Sequence, residues 1–268
     1  PDYERDLHDP FLLPDMEKAV LRILLAVKNE EHIVLYTDYD TDGTPAGVIL
    51  RDFFKKIGYA NFKNYIPHRY YEGYGLNIDA IKKFKEDEVT LIITADCGIS
   101  DISEVRYAEE EGITVILTDH HLPHAELPPA YAVVNPKRSD SSYPFDGLCG
   151  AGVAFKLVTA LLLRGREKGV FDIKAGWEKW LLDMAAIATV CARVPLRGEN
   201  RALAHFGIKV LRKCPRAGIR AFCRALRIPQ EFLSEEDIGF SIGPYINAAS
   251  RMDAPIKAFE FLSAEDEG

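Results

Sequence analysis

Four short runs of apolar and β-branched residues punctuate the first half of the chain: HIVLYT (32–37), LIITA (91–95), VILT (115–118) and YAVVN (131–135). Strands that are apolar on both faces need cover on both faces, and a parallel sheet with crossover helices supplies it. Helical period between and around the runs fits that scheme. It appears at 16–28 (MEKAVLRILLAVK), at 47–58 (GVILRDFFKKIG, closed by Gly58) and at 102–112 (ISEVRYAEEEG). The expected class is therefore α/β, a parallel β-sheet flanked by helices. After the loop PKRSDSSYPFDGLCG the chain turns mainly helical, with AGVAFKLVTALLL and WEKWLLDMAAIATVCA, and it carries no internal repeat.

Three of the four runs stop at acids. TDYDTDGT supplies Asp38, Asp40 and Asp42, ADCG supplies Asp96, and TDHH supplies Asp119, His120 and His121. All lie at strand carboxyl ends, the edge where open α/β sheets bind ligands. A lone Asp after a strand is as readily a turn former or helix cap. Three such loops on one edge, with two adjacent histidines, point instead to a metal. Carboxylate mixed with imidazole suits manganese better than calcium or a thiolate-bound ion. Asp40 and Asp42 alternate and can address two neighbouring ions, with Asp96 between them. Two ions about 3.5–4 Å apart clamp the attacking and leaving oxygens of an in-line phosphoryl displacement. Hydrolysis of a phosphoester or phosphoanhydride is the expected reaction class.

At 268 residues, 47% hydrophobic and 28% charged, the chain can bury a substantial core. No run approaches the roughly 18 apolar residues of a membrane span. Cys97, Cys149, Cys191, Cys214 and Cys223 form no CxxC pair, which argues for a reducing, cytoplasmic setting and against structural zinc. The net charge of −8 is unevenly placed: from Arg193 to Arg227 stand ten basic residues against Glu199 alone, so that strip is +9 and the remainder −17. Such a strip fits a polyanion better than the acidic total suggests. A start at Pro1 and the closing AEDEG suggest a piece of a longer protein.

The motifs TDYDTDG, TADCGIS and LTDHHLP resemble the first three motifs of the DHH phosphoesterase superfamily. NYIPHRYYEGYGL, NPK, YPFDGLCGAGVAFKL, VPLRGENR and IGPYINAASRMD, in that order, are similar to segments of its RecJ single-strand-specific exonucleases. The resemblance implies a Mn2+- or Mg2+-dependent enzyme, with two ions, that degrades single-stranded DNA from the 5′ end. It implies metal ligands at Asp40, Asp42, Asp96 and His120. Asp38 would stand close behind, Asp119 would orient the histidines, and His121 would face the scissile phosphate. It implies a DHH core over 1–192 and a helical extension over 193–268 leading toward a further DHH-associated domain. By the same analogy the chain is a monomer, with single-strand binding protein and a helicase as partners.

For the strand itself, His68, Arg69 and Tyr74 interleave aromatic and basic side chains, which suits base stacking and phosphate contact. Gly150 and Gly152 open a helix whose N–H groups would favour an anion. Asn247, Ser250 and Arg251 are expected in the same cleft. Two departures stand out. The resembled fourth motif carries an Asp ligand where this chain has Ala192 in TVCARVPL, so one ion is expected to be weakened and activity impaired. Because its surroundings keep the pattern, an introduced replacement explains Ala192 better than natural loss. Tyr245 also stands where an Arg is common. The alternatives are a DHH hydrolase of short oligonucleotides or cyclic dinucleotides, and a non-catalytic nucleic-acid-binding scaffold.

Overall fold

The computed structural model describes residues 1–213, 216–252 and 255–266, the side chain of Ser250 excepted. Its centre is a five-stranded sheet: β1 (Ile33–Thr37), β2 (Phe62–Tyr65), β3 (Leu91–Ala95), β4 (Thr114–Thr118) and β5 (Ala132–Val134). Every pairing is parallel and the order is β2-β1-β3-β4-β5. The chain leaves β1 toward β2 on one side and then starts β3 on the other, so the carboxyl ends of β1 and β3 border the crevice where the winding reverses. Four strands coincide with the apolar runs. β2 does not, because FKNY is an edge strand, half-buried along its length, and lacks the continuous apolar signature of a central one.

Twelve α-helices are present among the described residues: α1 (Tyr3–Asp6), α2 (Met16–Lys28), α3 (Gly43–Lys56), α4 (Ile78–Glu86), α5 (Ile102–Glu110), α6 (Gly150–Glu167), α7 (Leu182–Cys191), α8 (Gly198–Leu211), α9 (Ala217–Ala225), α10 (Glu235–Asp237), α11 (Gly243–Arg251) and α12 (Pro255–Ser263). Side chains of period two divide the core in two. Ile33, Leu35, Leu91 and Ile93 face α2, α3 and α6. Val34, Tyr36, Ile92 and Val115 face Ala80, Ile81 and Phe84 of α4 and Val105 of α5. The first of these cores continues past residue 192 through Leu203, Leu211, Ile219, Ile238, Ile246 and Leu262. None of the described helices is long and apolar enough to cross a membrane.

Two helices begin differently from their sequence pattern. α3 starts at Gly43 rather than 47, because Asp40 receives the first free N–H groups with its side chain. Residues 177–192 are not one helix: Trp177–Leu181 is a 310 turn, and α7 begins at Leu182 as a helix buried on all sides through Thr189.

A buried ion pair ties distant segments to α6. Lys156 pairs with Glu199 of α8, both essentially inaccessible to solvent. Glu199 also accepts the Tyr143 hydroxyl at 2.6 Å and the His8 N–H at 2.8 Å, while Lys156 Nζ donates to the His8 carbonyl at 2.7 Å.

Candidate metal centre

Strand register sets the acids in a row. Thr37 pairs with Ala95, and the Asp96 N–H donates to the Thr118 carbonyl at 3.0 Å, so β1, β3 and β4 end level. Asp38, Asp96 and Asp119 are each the first residue beyond, and each is buried. Such crowding requires glycines. A Cβ on Gly43 would lie 2.6 Å from Asp38 Cβ, and one on Gly150 would lie 2.3 Å from Asp96 Oδ1. Asp96 itself sits at φ +65°, a left-handed conformation that Asp adopts only when its surroundings hold it there.

The carboxylates differ in what they already hold. Asp40 Oδ1 accepts N–H groups of Asp42 and Gly43 at 2.7 and 3.0 Å. Asp42 accepts the Gly150 N–H at 2.8 Å and the Ala151 N–H at 2.7 Å, so it seats its charge on the positive end of α6. By contrast, Asp38 Oδ1, Asp96 Oδ1 and His120 Nδ1 are buried without a hydrogen-bond partner. His120 Nε2 lies 3.1 Å from Asp96 Oδ1 and 3.4 Å from Asp42 Oδ2, close but not aligned as a donor to Asp96. Asp38, Asp40 and Asp96 bring one oxygen each within 4.8 Å of one another, and Asp96, His120 and His121 form a second such group. Asp96 belongs to both.

Burial, compounded by the neighbouring acids, lifts these carboxyl groups. Asp38 is pushed up to about 7, first by burial and then by Asp40. Asp96 is raised well above its ordinary value by burial, Asp42 and Asp40, and Asp42 is raised by burial against the opposing pull of His120. Burial lowers His120, which keeps its imidazole neutral and able to coordinate. Orphaned oxygens and a bare ring nitrogen around a shared Asp are costly unless protons or a cation balance them. The donor set, carboxylate with imidazole and no thiolate, fits a hard-to-intermediate divalent cation such as Mn2+.

The second histidine is built differently. Asp119 accepts N–H groups from Ile99 at 3.0 Å, His120 at 2.7 Å and His121 at 3.0 Å, and the His121 ring Nδ1 at 2.7 Å. Burial works to raise Asp119, but its bond with His121 and those N–H groups outweigh it and hold the carboxyl below its usual range. That bond raises His121 in turn. His121 remains nearly half exposed, with Asn135 Nδ2 donating to its carbonyl at 2.9 Å.

A pH effect follows with a definite sign. Raised carboxyl groups hold protons in the folded state that the unfolded chain has already released, so without a cation stability falls as pH rises from the ordinary carboxylate range toward 7. A divalent cation replaces those protons. The rise in Tm on adding Mn2+ is expected to be larger at pH 8 than at pH 5.5. Equal rises at both pH values, read by thermal unfolding, would count against a cation among these acids.

Other residues singled out in the sequence fall in three places. Tyr74 belongs to the centre: its hydroxyl donates to the Asp96 carbonyl at 3.2 Å and lies 3.2 Å from His121 Nδ1. His68 and Arg69 lie on the adjoining loop, where His68 stacks on Tyr71 at 4.4 Å and Arg69 covers the Tyr39 ring at 5.4 Å. Tyr70 reaches the Arg251 carbonyl at 3.3 Å, joining that loop to α11, and Arg251 is exposed. Asn247 lines a cavity of about 600 Å3 with Cys191, Arg193 and Phe240. The side chain of Ser250 lies outside the described residues. Gly150 and Gly152 lie buried at the start of α6, where the Gly150 N–H donates to Asp42 and the Gly152 N–H to Cys149 Sγ.

Ala192 caps α7, half-buried, with Arg193 beyond it exposed at φ +56°. Its neighbour Cys191 is pushed up to about 12 by burial and by Asp42 and Asp40, and Thr189 Oγ1 lies 3.6 Å from Cys149 Sγ, next to the Gly150 that donates to Asp42, so the carboxyl end of α7 adjoins the acids. Sequence reasoning missed Asn135 as a support and missed Asp101. Asp101 accepts the Leu76 N–H at 2.6 Å and fixes the loop that carries Tyr74. An Asp before a helical pattern reads as a cap, so nothing local marks that second task.

The DHH family, N-terminal domain, matches residues 32–189. The chain is 39% identical over 263 residues to the single-stranded-DNA-specific exonuclease RecJ of Bacillus subtilis (strain 168), covering 98% of this chain and 32% of that protein. The crystal structure of exonuclease RecJ bound to manganese aligns with a TM-score of 0.83 at 32% identity, over 95% of this chain and 62% of that one. RecJ from Thermus thermophilus in complex with Mn2+ aligns with a TM-score of 0.79 at 30% identity, over 95% and 35%. The chain spans about a third to a half of the length of the curated relatives it matches. A match that runs from the first strand into the helix beside the acids leaves one assignment, and the chain belongs to the DHH family.

Proposed function

We propose that this chain forms the phosphoesterase part of a RecJ-type exonuclease, hydrolysing phosphodiesters of single-stranded DNA from the 5′ end with two divalent cations, Mn2+ or Mg2+. The observation that carries the reading is Asp96, a buried acid shared by two groups of ligand atoms and surrounded by orphaned donors. Asp38, Asp40, Asp96 and His120 would hold the ions, with Asp42 fixing His120 and the start of α6. Bound there, the ions supply the positive charge that phosphoryl displacement needs at the attacking and leaving oxygens.

The chain's own groups do the rest. Asp119 occupies Nδ1 of His121, which leaves Nε2 to a phosphate oxygen and favours the charged ring that stabilises one or donates a proton to it. Exposed Tyr70, Tyr71 and Arg251, with Arg69 beside them, offer rings and charge to the strand. Residues 1–192 act as the core and 193–268 as the extension that guides the strand. Free thiols at Cys97, Cys149, Cys191 and Cys223 suit a cytoplasmic setting, where a monomer working with single-strand binding protein and a helicase fits the family.

The test is Mn2+-dependent release of label from a 5′-labelled single strand against the same sequence as duplex. Release from the single strand alone, abolished in Asp96→Asn, is expected. Background release from this chain and from its Ala192→Asp form alike would reject the reading.

A further inference from the structure

α8 carries a row of cations whose placement the fold does not demand. Arg201, His205 and Lys209 recur every fourth residue, so they share one face of α8, Lys213 follows just beyond its end, and all are exposed. Arg197, exposed, stands just before the helix. None of Arg197, Arg201, Lys209 and Lys213 has a carboxylate partner among the described residues. Like charges at this spacing repel. Their effect registers on His205, which is lowered by what burial it has and by Lys209 and Arg201.

The row runs between two places. α8 is packed on α7 so closely that a Cβ on Gly207 would lie 2.1 Å from the Leu182 carbonyl and 2.4 Å from Ala186 Cβ. α7 ends at Cys191 and α8 begins at Gly198, so the two form an antiparallel hairpin. The start of α8 therefore lies by the end of α7 that adjoins Asp42 and Asp40, and its last turns lie by the far end. At that far end a cavity of about 430 Å3 is lined by Tyr3, Trp180, Phe206, Lys179, Lys209 and Lys213, with no acid in its wall. Trp180 is 51% exposed, Lys179 Nζ lies 4.4 Å from the Tyr3 ring and Lys209 Nζ lies 5.3 Å from the Phe206 ring. Glu178, the nearest acid in sequence, is turned to the Gly176 N–H.

We propose that this face is a track for single-stranded nucleic acid, leading from the metal centre along α8 to a base-holding cavity at Trp180. Phosphates would lie on Arg201, Lys209, Lys213 and Lys179, and a base would stack on the exposed ring. A row of unpaired cations suits a linear polyanion better than a single phosphate. Flat rings between them suit bases, because every base offers a π-face, and so favour nucleic acid over an acidic peptide. The track rests on the reading above only in taking the strand at its inner end to be the substrate. Fourteen helical residues rise about 21 Å, so only a strand of several nucleotides reaches both ends.

The experiment titrates tryptophan fluorescence with oligo(dT) of roughly 20 nucleotides in EDTA, beside Mn2+-dependent cleavage of a dinucleotide. Quenching is expected, and Trp180→Phe should remove most of it. The combined Lys179→Gln, Lys209→Gln and Lys213→Gln variant should bind at least about tenfold more weakly, with the salt slope shallower by about 2, at roughly 0.7 per lost contact. Its dinucleotide cleavage should match that of the parent. Absence of oligo(dT) binding, or an unchanged affinity and slope in the triple variant, would overturn the track. So would polyglutamate competing as well as oligo(dT), which would make the face a peptide site. If the binding results hold while no form cuts the dinucleotide, the Ala192→Asp form included, the nuclease reading fails and the track stands.

Discussion

Ala192→Asp is expected to raise Mn2+-dependent cleavage of a single strand by two orders of magnitude or more. α7 delivers its last residues to the acids, because Thr189 Oγ1 lies 3.6 Å from Cys149 Sγ, next to the Gly150 that donates to Asp42, and residue 192 is the cap that follows. A methyl group there donates nothing to a cation, whereas a carboxylate adds both a ligand and a negative charge. Charge stabilisation by a firmly held ion is worth several kcal/mol, and each 1.36 kcal/mol is about tenfold in rate. The same change carries an internal control. One more acid beside raised carboxyl groups should lower Tm in EDTA and raise it in Mn2+, since the added charge repels without the cation and binds with it. Steady-state rates at titrated Mn2+, with melting curves in both conditions, read out both effects. If neither the rate nor the Mn2+-dependent Tm moves, the side chain at 192 is not directed at the acids. A non-catalytic, nucleic-acid-binding scaffold then becomes the better account of this chain.

The sheet and its acidic edge were legible because each central strand is apolar on both faces and each ends at a charged residue, a contrast visible without any partner. β2 was not, since Phe62–Tyr65 meets the sheet on one side only and its sequence alternates with polar residues. The start of α3 was hidden for a similar reason: TDGTP reads as a turn until Asp40 is seen holding the first N–H groups of the helix. Within the site, the sequence marks which residues carry acid but not which oxygens are left over. Asp42 is expected as a ligand, and the sequence does not show that its two oxygens also accept the N–H groups of Gly150 and Ala151, more than a hundred residues away. The same contact sets the start of α6, where the Gly150 and Gly152 pattern suggested N–H groups open to an anion, against an acid of the chain itself. Tyr74 is expected to meet the strand, and its hydroxyl also reaches the Asp96 carbonyl and lies beside His121, on a loop whose Leu76 N–H is held by Asp101.

That dependence on remote contacts makes the second large effect a test of the scaffold. Glu199→Ala is expected to lower stability by about 3–5 kcal/mol, because it leaves the Lys156 ammonium buried without its partner. It also strips the Tyr143 hydroxyl and the His8 N–H of their acceptor. For a chain of this size the fall in Tm is on the order of 10 °C. Replacing both partners, as Lys156→Met with Glu199→Leu, should recover much of the loss, since an apolar pair of similar volume avoids desolvating two charges. The consequence reaches the metal centre. Tyr143 lies in the loop between β5 and α6, which ends at Cys149, and Gly150 donates to Asp42. Glu199→Ala should therefore weaken Mn2+ binding as well as folding, measured by calorimetric titration below the variant's Tm. A variant that melts with the parent would show that the ion pair does not hold that loop. The position of α6 against Asp42 would then have to come from Asn200, whose side chain donates to the Gly147 carbonyl at 2.6 Å and to the Pro195 carbonyl at 3.1 Å.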